Sequence, residues 1–488
     1  MTRVTLIPAG RPHRPNPEEP PSLYERRRQI YPKLAHGRFR TVKWAVMAVT
    51  LGIYYLIPWL RWPRGEGIPD QAVLADFGGE KFYFFFLEIW PQEIYFLGGL
   101  LILAALGLFL VTSVLGRVWC GYTCPQTVWT DLYIWVERAF EGDRAARKRL
   151  DQAPMSVNKA WRKLGKHAVW LLIAFMTGGA FILYWHDAPS LAETFFRGEA
   201  PLTAYFFAGL LTFTTYMLAG TMREQVCTYL CPWPRIQGAL TDQYALNVTY
   251  RYDRGEPRGP HRKDETWQGR GDCIDCNQCV QVCPMGIDIR DGAQLACIHC
   301  ALCIDACDEI MRKVGRPTGL IAYDTDRAVE ERAKGETPKY ALIRTRTILY
   351  AALIALIASL MLWAYAAKPG YEFNVLKDRS PSFIRLSDGR IRNGYTLKLV
   401  NKSTSAQLVS VSVKGAEDLA FEIIGVGSAS ADETLQLSAQ AYGVDRYRML
   451  VTLPAAGAGA PVRLDVTLTD IDSGETILAT TPFTTGER

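Results

Sequence analysis

Residues 273–284 read CIDCNQCVQVCP, and residues 297–307 repeat the same cysteine spacing as CIHCALCIDAC. In each run three cysteines follow one another at every third position, so a tight loop can offer three thiolates to one cuboidal iron–sulfur cluster. The fourth cysteine of each run reaches the other cluster in two-cluster ferredoxins. The spacing therefore predicts two [4Fe–4S] clusters with crossed ligand sets. One set is Cys273, Cys276, Cys279 and Cys307, and the other is Cys297, Cys300, Cys303 and Cys283.

Structural zinc is the alternative reading of these cysteines, because zinc sites are also built from four thiolates. Two successive runs with the same spacing are much more typical of a ferredoxin, so we favour iron–sulfur clusters. His299 stands between two cysteines of the second run. Because cysteines already fill every ligand position, we expect His299 to be a packing residue and not a ligand.

The composition agrees with a membrane-bound redox protein. All 12 cysteines of the 488 residues fall into short-spaced groups, which is typical of metal-binding or redox segments and not of a disulfide scaffold. Hydrophobic residues make up 49% of the chain and charged residues 21%, a balance that fits membrane spans mixed with soluble parts. The net charge of +6 is mild and the basic residues are clustered, so we predict no nucleic-acid partner. No nucleotide-binding fingerprint is present, so we expect a protein electron donor.

Five apolar stretches are long enough to cross a bilayer as helices. They run over about 44–60, 94–115, 167–185, 202–220 and 347–364. Basic residues gather before the first stretch and between the second and third, and such segments stay in the cytoplasm. We therefore predict a multi-pass protein with a cytoplasmic N-terminus and with its C-terminus on the opposite side of the membrane.

This topology predicts five segments. They are a basic cytoplasmic arm over 1–43, four membrane helices over 44–222, a cytoplasmic two-cluster ferredoxin-type domain over 223–346, a fifth membrane helix over 347–366 and an all-β domain over 367–488. The last segment alternates polar and apolar residues between turn signals such as Asn393-Gly394. This pattern predicts an immunoglobulin-like sandwich.

A shorter motif occurs twice, as CGYTCP at 120–125 and CTYLCP at 227–232, each just past an even-numbered span. Cysteines four residues apart share a face of a helix, so each pair could present two sulfurs to one metal. Soft thiolates favour Cu(I), zinc or iron–sulfur centres. A true repeat would bring Cys120, Cys124, Cys227 and Cys231 together at the cytoplasmic edge of the membrane. Small buried cysteines at helix contacts are the alternative.

In combination, these motifs resemble the CcoG/FixG/RdxA family of cbb3-type cytochrome c oxidase accessory proteins. The resemblance also rests on LYERRRQIYP at 23–32, IWPQ at 89–92, GDCIDCN at 271–277, CPMGIDI at 283–289, GLI at 319–321 and SDGRIRNGY at 387–395. It extends from about Leu23 to the end of the chain. It implies a bacterial inner-membrane location and a periplasmic FixG-type C-terminal domain.

The resemblance further implies a role in maturing the cbb3-type oxidase, by reducing Cu(II) to Cu(I) for its copper centre. It implies that the four CxxxCP cysteines are the copper-handling, catalytic residues. The partners would be the oxidase or its assembly factors, and a copper transporter or chaperone. Two rival functions stay open: a polyferredoxin that passes electrons to a quinone pool or a respiratory partner, and a non-enzymatic scaffold for oxidase assembly.

Overall fold

The computed structural model describes residues 29–64, 68–79, 81–261, 266–367, 370–403, 405–416, 418–431, 433–441, 443–454 and 462–485. The chain forms two compact units, Met1–Met361 and Leu362–Arg488. Most of the predicted basic arm over 1–43, with the first part of the motif at 23–32, lies outside the described residues.

In the described part of the chain, five helices are long and apolar enough to cross a membrane. They are Arg38–Trp59, Ile94–Leu115, Val157–Ile182, Leu202–Met222 and Thr345–Ala366. On the second of them Leu100 and Leu101 are 58% and 63% exposed, as expected for side chains that face lipid. The prediction of five spans is confirmed. The third helix begins earlier than its apolar stretch suggested, because Ser156 caps it by accepting from the backbone N–H of Lys159.

Shorter helices connect the spans and build the insert between the fourth and fifth. They are Val118–Tyr122, Pro125–Glu141, Arg144–Gln152, Ala188–Arg197, Trp233–Leu240, Tyr252–Gly255, Gln278–Val282, Leu302–Lys313 and Asp326–Ala333. The fourth span ends as a π-helix over Tyr216–Met222, and a second π-helical turn follows over Val226–Leu230. Such windings are rare and frequently occur at functional sites.

The third span packs closely against its neighbours. A Cβ on Gly178 would lie only 2.7 Å from the carbonyl oxygen of Ala208 in the fourth span, so this approach requires glycine. Next to it, the hydroxyl of Thr177 accepts from the indole N–H of Trp129 at 3.1 Å, and its carbonyl accepts from the hydroxyl of Tyr54 at 2.8 Å. These contacts join the first and third spans to the helix Pro125–Glu141.

Buried ion pairs fix the helix Pro125–Glu141 between its neighbours. Glu137, whose side chain is 3% exposed, pairs with Arg223 at 3.0 Å, with Lys166 at 3.6 Å and with Arg147. Because a buried charge that loses its partner is strongly destabilising, this cluster holds its helices in one arrangement. Since Pro125 opens the helix and Arg223 precedes the second CxxxCP motif, the cluster also fixes the two motifs relative to each other.

The first span begins at a cap that comes from the insert. Its N-cap residue is Gly37, which has no side chain to satisfy the free backbone N–H groups. The carboxylate of Asp305 takes this role, because it accepts from the backbone N–H of Phe39 at 3.2 Å and from that of Arg40 at 2.8 Å. Asp305 lies on the helix Leu302–Lys313, so the cysteine-rich insert is bonded directly to the start of the first span.

Two small antiparallel sheets complete the first unit. One joins β1 Val73–Asp76, β2 Lys81–Phe84 and β3 Leu87–Ile89, and the other pairs β4 Asn247–Tyr250 with β5 Ile321–Asp324. The second sheet brackets the two cysteine runs in sequence. The pairing of β4 with β5 therefore holds the two ends of the segment that contains the runs next to each other.

The second unit is an all-β sandwich. Its strands are β6 Tyr371–Lys377, β7 Ile384–Arg385, β8 Ile391–Asn401, β9 Gln407–Lys414, β10 Ala420–Ile423, β11 Gly427–Ser430, β12 Leu435–Ala439, β13 Val444–Leu453, β14 Val462–Asp470 and β15 Thr476–Phe483. One sheet has the order β11-β10-β13-β8-β6 with β7 beside β8, and the other has the order β12-β9-β14-β15.

Alternate side chains of the two sheets form the core of the sandwich. Tyr395 and Leu397 on β8 and Val409 and Val411 on β9 are completely buried, as the period-2 pattern requires. The hydroxyl of Tyr395 donates to the carbonyl of Pro482 at 3.0 Å and so satisfies its one polar group. The predicted all-β C-terminal fold is confirmed.

Candidate redox centres

The first predicted set of cysteines lines one small cavity. Cys273, Cys276, Cys279 and Cys307 surround it, with the apolar side chains of Met311, Leu320 and Ile321 among the remaining walls. We call this cavity the first cluster site. Cys307, from the second run, lies with three cysteines of the first run.

The second predicted set lines a neighbouring cavity, which we call the second cluster site. Cys283, Cys297, Cys300 and Cys303 surround it, and Cys279 reaches its wall from the first site. The remaining walls are largely apolar and include Val248, Ile287 and Ile298. The structure thus places Cys283 and Cys307 each with the opposite run, as crossed ligand sets require.

Each cysteine run folds back on itself through left-handed residues between its cysteines. Asp275 and Asn277 have φ of 55° and 56°, and His299 and Ala301 repeat these positions with φ of 52° and 61°. Non-glycine residues rarely adopt this conformation, which costs energy and persists where the surroundings impose it. The repeated conformation turns each loop around a centre, and a helix then begins at the residue after Asn277 or Ala301.

The eight thiols fit iron–sulfur clusters by their chemistry. Burial raises the pKa of Cys279 to about 11 and the pKa values of Cys283 and Cys297 to about 12, so free thiolates here are unfavourable. A bound metal centre supplies the positive charge that a buried thiolate needs. Two adjoining apolar sites with four thiols each match the donor set of two [4Fe–4S] clusters.

The two CxxxCP motifs meet at a third cavity of about 230 Å³, which we call the membrane-edge cavity. It lies at the ends of the second and fourth spans, and its walls are almost wholly apolar. Its lining residues include all four motif cysteines, Cys120, Cys124, Cys227 and Cys231, together with Leu108, Arg117, Trp119, Trp233, Ala296 and Ile298.

The two cysteines of each pair do not share one uninterrupted helical face, contrary to the expectation from their spacing of four residues. Each pair lies instead where a helix ends. Cys120 is in the short helix Val118–Tyr122, whereas Cys124 is the N-cap of the next helix. The cause is Pro125, which is suited to the first position of a new helix because it has no N–H to donate backward. Cys227 is in a π-helical turn that ends before Cys231.

Two polar groups mark the walls of the membrane-edge cavity. The Cys120 thiol donates to Oε1 of Gln237 at 3.0 Å, and burial raises the pKa values of Cys120 and Cys227 to about 12. The indole N–H of Trp233 is buried and has no hydrogen-bond acceptor among the described residues. Within those residues, no three His, Cys, Asp or Glu side chains converge closely enough to hold a single metal ion.

The membrane-edge cavity shares a wall with the second cluster site. A Cβ on Gly121 would lie 2.8 Å from the carbonyl oxygen of Ile298 and 2.9 Å from that of His299, so only glycine permits this backbone contact. Cys120 and Cys300 accordingly pack in the same apolar cluster. The first CxxxCP motif therefore rests directly on the cysteine loop of the second site.

Arg117 reinforces this contact. Its backbone N–H donates to Nδ1 of His299 at 3.1 Å, and its guanidinium donates to the carbonyl of Cys297 at 2.7 Å and to that of Leu295. Burial, with a smaller effect of Arg117, lowers the pKa of His299 to about 4, so the ring is neutral and Nδ1 can accept. The expected packing role of His299 thus takes the form of a buried hydrogen bond.

Sequence reasoning did not identify Arg117, Gly121 or Gln237. The only local signal was their position, since Arg117 and Gly121 flank the first cysteine of a CxxxCP motif. Their partners lie more than a hundred residues away in the chain, and no spacing rule indicates such contacts.

The spans, the paired cysteine sites and the immunoglobulin-like sandwich define a class, the membrane-bound iron–sulfur electron-transfer proteins. Within it, the chain belongs to the FixG/RdxA family. It is 48% identical over 460 residues to the nitrogen fixation protein FixG of Rhizobium meliloti (strain 1021), an alignment that covers 88% of each chain. Protein RdxA of Cereibacter sphaeroides is 48% identical over 448 residues, with 91% of this chain and 94% of the relative covered.

Family profiles divide the chain in a consistent way. Residues 222–326 match a 4Fe-4S dicluster domain, residues 97–141 match a 4Fe-4S binding domain, and residues 361–486 match the IG-like fold at the C-terminal of FixG. A crystal structure of a FixG-related protein from Vibrio parahaemolyticus aligns at 20% identity and a TM-score of 0.21, covering 24% of this chain and 99% of that chain. The match to the 4Fe-4S dicluster domain shows that the protein carries two [4Fe–4S] clusters as cofactors.

Proposed function

We propose that this protein reduces Cu(II) to Cu(I) at the membrane-edge cavity, for the assembly of a cbb3-type cytochrome c oxidase. The observation that carries the proposal is the placement of four thiols in one apolar cavity that shares a wall with the second cluster site. Copper is the substrate. Each Cu²⁺ takes up one electron from a reduced one-electron protein donor and leaves as Cu⁺, and the donor is oxidised by one electron.

The chain's own residues suit this chemistry. When bound, the two clusters supply single electrons, and we assign their ligands as the two crossed sets of cysteines. The thiols of the membrane-edge cavity are soft ligands that favour Cu(I), so their ligation would make reduction more favourable. The apolar walls around Cys120 and Cys227 exclude water from the bound ion, and the buried indole N–H of Trp233 is available to donate to a metal-bound sulfur.

The protein donor docks at the first cluster site. Cys276 is the one exposed cysteine among the twelve, and it belongs to that site. The second cluster site is covered by the Cys120–Cys124 motif, which leaves the first as the solvent-facing end. The direction of transfer is therefore from the Cys276 side toward the membrane-edge cavity.

Location and partners follow the family's implied role. We propose a bacterial inner-membrane protein with a cytoplasmic N-terminus, a ferredoxin-type domain over 223–346 in the cytoplasm and a periplasmic domain over 367–488. The product Cu(I) would pass to a copper transporter, a chaperone or an oxidase assembly factor.

Anaerobic Cu(II) reduction by the purified protein tests the proposal. The protein is reduced with dithionite, freed of excess reductant and mixed with Cu(II), while a Cu(I)-specific chromophore and EPR follow copper and clusters. We expect wild type to oxidise its clusters as Cu(I) appears, and Cys120→Ala/Cys124→Ala to react at least tenfold more slowly. Thr123→Ala, a change at a half-buried position in the same motif whose hydroxyl donates to the carbonyl of Trp119, is the matched control. Clusters that stay reduced in wild type after Cu(II) addition would refute copper as the acceptor.

A second function for the membrane-edge cysteines has one observation in its favour. The 4Fe-4S binding profile covers residues 97–141 and so includes Cys120 and Cys124. These cysteines would then ligate a third iron–sulfur centre in a polyferredoxin that serves a quinone pool or a respiratory partner. Iron and sulfide analysis separates the two proposals, because Cys120→Ala/Cys124→Ala would lose about a third of its iron in the second case and none in the first.

A further inference from the structure

Arg117 is a buried cation between the membrane-edge cavity and the second cluster site. It is 4% exposed and precedes Cys120 by three residues. Its guanidinium donates to the carbonyls of Leu295, Cys297 and Pro234. Two of these carbonyls belong to the loop that enters the second cluster site, and the third belongs to a wall of the membrane-edge cavity.

No Asp or Glu of the described residues forms an ion pair with Arg117. Burial lowers the pKa of Arg117, and the sulfurs of Cys120 and Cys297 are the groups that most oppose this effect. A guanidinium stays protonated in proteins, and a buried charge is costly unless an opposite charge compensates for it. Carbonyl dipoles supply only part of this compensation. When the second cluster is bound, the thiolate of Cys297 would compensate for the rest of this charge.

Other arginines close to the cysteine runs have carboxylate partners. Arg254, which lies near Cys307, pairs with Asp272 at 2.8 Å, and Arg290 pairs with Asp288 at 2.6 Å. A paired carboxylate partly neutralises each of these charges, although Arg290 itself lines the first cluster site. The field of Arg117 is not neutralised in this way, and it acts on the second site.

We propose that Arg117 is an electrostatic positioning residue that makes the second cluster easier to reduce, so that the transferred electron is held beside the membrane-edge cavity. Reduction adds one negative charge to a cluster, and net charge and hydrogen bonding around the sulfurs set its potential. A cation that hydrogen-bonds the carbonyl of Cys297 favours the reduced form. This proposal rests on cluster ligation at the second site and not on copper as the acceptor, so the two proposals can fail separately.

An EPR-monitored redox titration of the full-length protein in detergent tests the role of Arg117. Cys276→Ser identifies which midpoint belongs to the first cluster. In Arg117→Gln we expect the reduced-to-oxidised ratio of the second cluster, at the wild-type midpoint, to fall at least tenfold. For a one-electron couple this corresponds to about 59 mV. In Arg117→Gln the ratio for the first cluster should change less than twofold. In the matched control Arg254→Gln the ratio for the second cluster should also change less than twofold.

Arg117→Lys separates charge from hydrogen-bond geometry, because it retains the positive charge. We expect its second-cluster ratio to stay within threefold of wild type. An unchanged second midpoint in Arg117→Gln with both clusters present, or equal shifts of both midpoints, would overturn the proposal. If Arg117→Gln fails to retain both clusters, Arg117→Lys decides alone, and a tenfold fall there contradicts a role for the charge.

Discussion

The cluster sites and the membrane-edge cavity each use four thiols, yet they are built in opposite ways. In the cluster sites, continuous loops with paired left-handed residues wrap small enclosed spaces. In the membrane-edge cavity, the thiols come from helix ends that are far apart in sequence, and they line a space of about 230 Å³. A loop that surrounds its centre suits a permanently bound cofactor, whereas a wide cavity between helix ends suits an exchangeable substrate.

The largest expected effect tests whether the two kinds of cysteine differ in function. Cys303→Ser removes a proposed ligand at the second cluster site, so we expect loss of about half of the iron and at least a hundredfold loss of Cu(II) reduction, or about 2.7 kcal/mol in the barrier. Iron analysis and the chromophore assay measure both. Cys231→Ser, in the membrane-edge cavity, should keep all of its iron; if it loses iron as Cys303→Ser does, the distinction between the two regions fails.

Glu137→Gln should lower the stability of the helices around the membrane-edge cavity and leave the two cysteine runs intact. Removal of one charge from a buried ion pair costs about 3–5 kcal/mol, since Arg223 and Arg147 lose their partner. Thermal unfolding in detergent should show a lower midpoint, with the cluster absorbance of the folded protein unchanged. The exposed pair of Arg197 and Glu193 offers the control Glu193→Gln, whose cost should be below about 1 kcal/mol.

The ionisation of Glu137 makes the stability of the protein depend on pH in a direction that can be predicted. Burial alone would raise the pKa of Glu137, but Arg223 and Arg147 outweigh it, and the pKa is lowered. Its stabilising contribution is therefore complete above the unfolded-state value of about 4.3 and is lost as the pH falls through the folded pKa. The stability difference between wild type and Glu137→Gln should be constant from pH 7 to pH 5 and shrink below that. A difference that shrinks above pH 6 would contradict this assignment.

Gly121→Ala tests the shared wall between the two regions. The new Cβ would meet two backbone carbonyls, which cannot move aside as a side chain would, so we expect a cost of about 1–3 kcal/mol. The EPR signal of the second cluster should broaden while that of the first stays unchanged. Gly179→Ala has open space around its Cβ and should not destabilise the protein. Equal behaviour of the two variants would show that the wall is not tightly packed.

The smallest effect is expected in the C-terminal unit, Leu362–Arg488, which contains none of the twelve cysteines. Tyr395→Phe removes the hydrogen bond to Pro482 and should lower the stability of the sandwich by about 1 kcal/mol. Denaturant unfolding followed by tyrosine fluorescence measures this change. Iron content and Cu(II) reduction should remain at wild-type values, and a loss of either would assign this unit a part in electron transfer.

The sequence predicted those features whose signal is local. The spacing of Cys273 to Cys307 indicated crossed cysteine sets, and hydropathy indicated the five spans, because both depend on neighbours along the chain. Alternation likewise predicted the strand that contains Tyr395, but the turn expected at Asn393-Gly394 was wrong, because both residues pair with β13 inside β8. The confirmed fold class follows from these patterns.

The features that the sequence did not predict depend on long-range contacts. The ion pairs of Glu137 join separate helices, and the hydrogen bonds of Arg117 join two turns that are far apart in the chain. Each of these side chains alone resembles a surface charge. The helix break at Cys124 was missed because the i,i+4 rule assumes a continuous helix, and Pro125 starts a new one. The identity of a residue and of its neighbours in the chain does not reveal which distant carbonyl it will contact.

The Asp305 cap has a consequence for biogenesis. The first span enters the bilayer early in synthesis, while the carboxylate that completes its N-terminus is translated 265 residues after its partner Arg40. Until then the first helix has free backbone N–H groups at its start. Asp305 lies between Cys303 and Cys307, so the segment that caps the first membrane helix is also a segment that we assign to cluster binding. We expect metal loading and membrane folding to be one maturation step, and nascent protein in iron-starved cells to be exposed to quality-control proteolysis at its amino-terminal end.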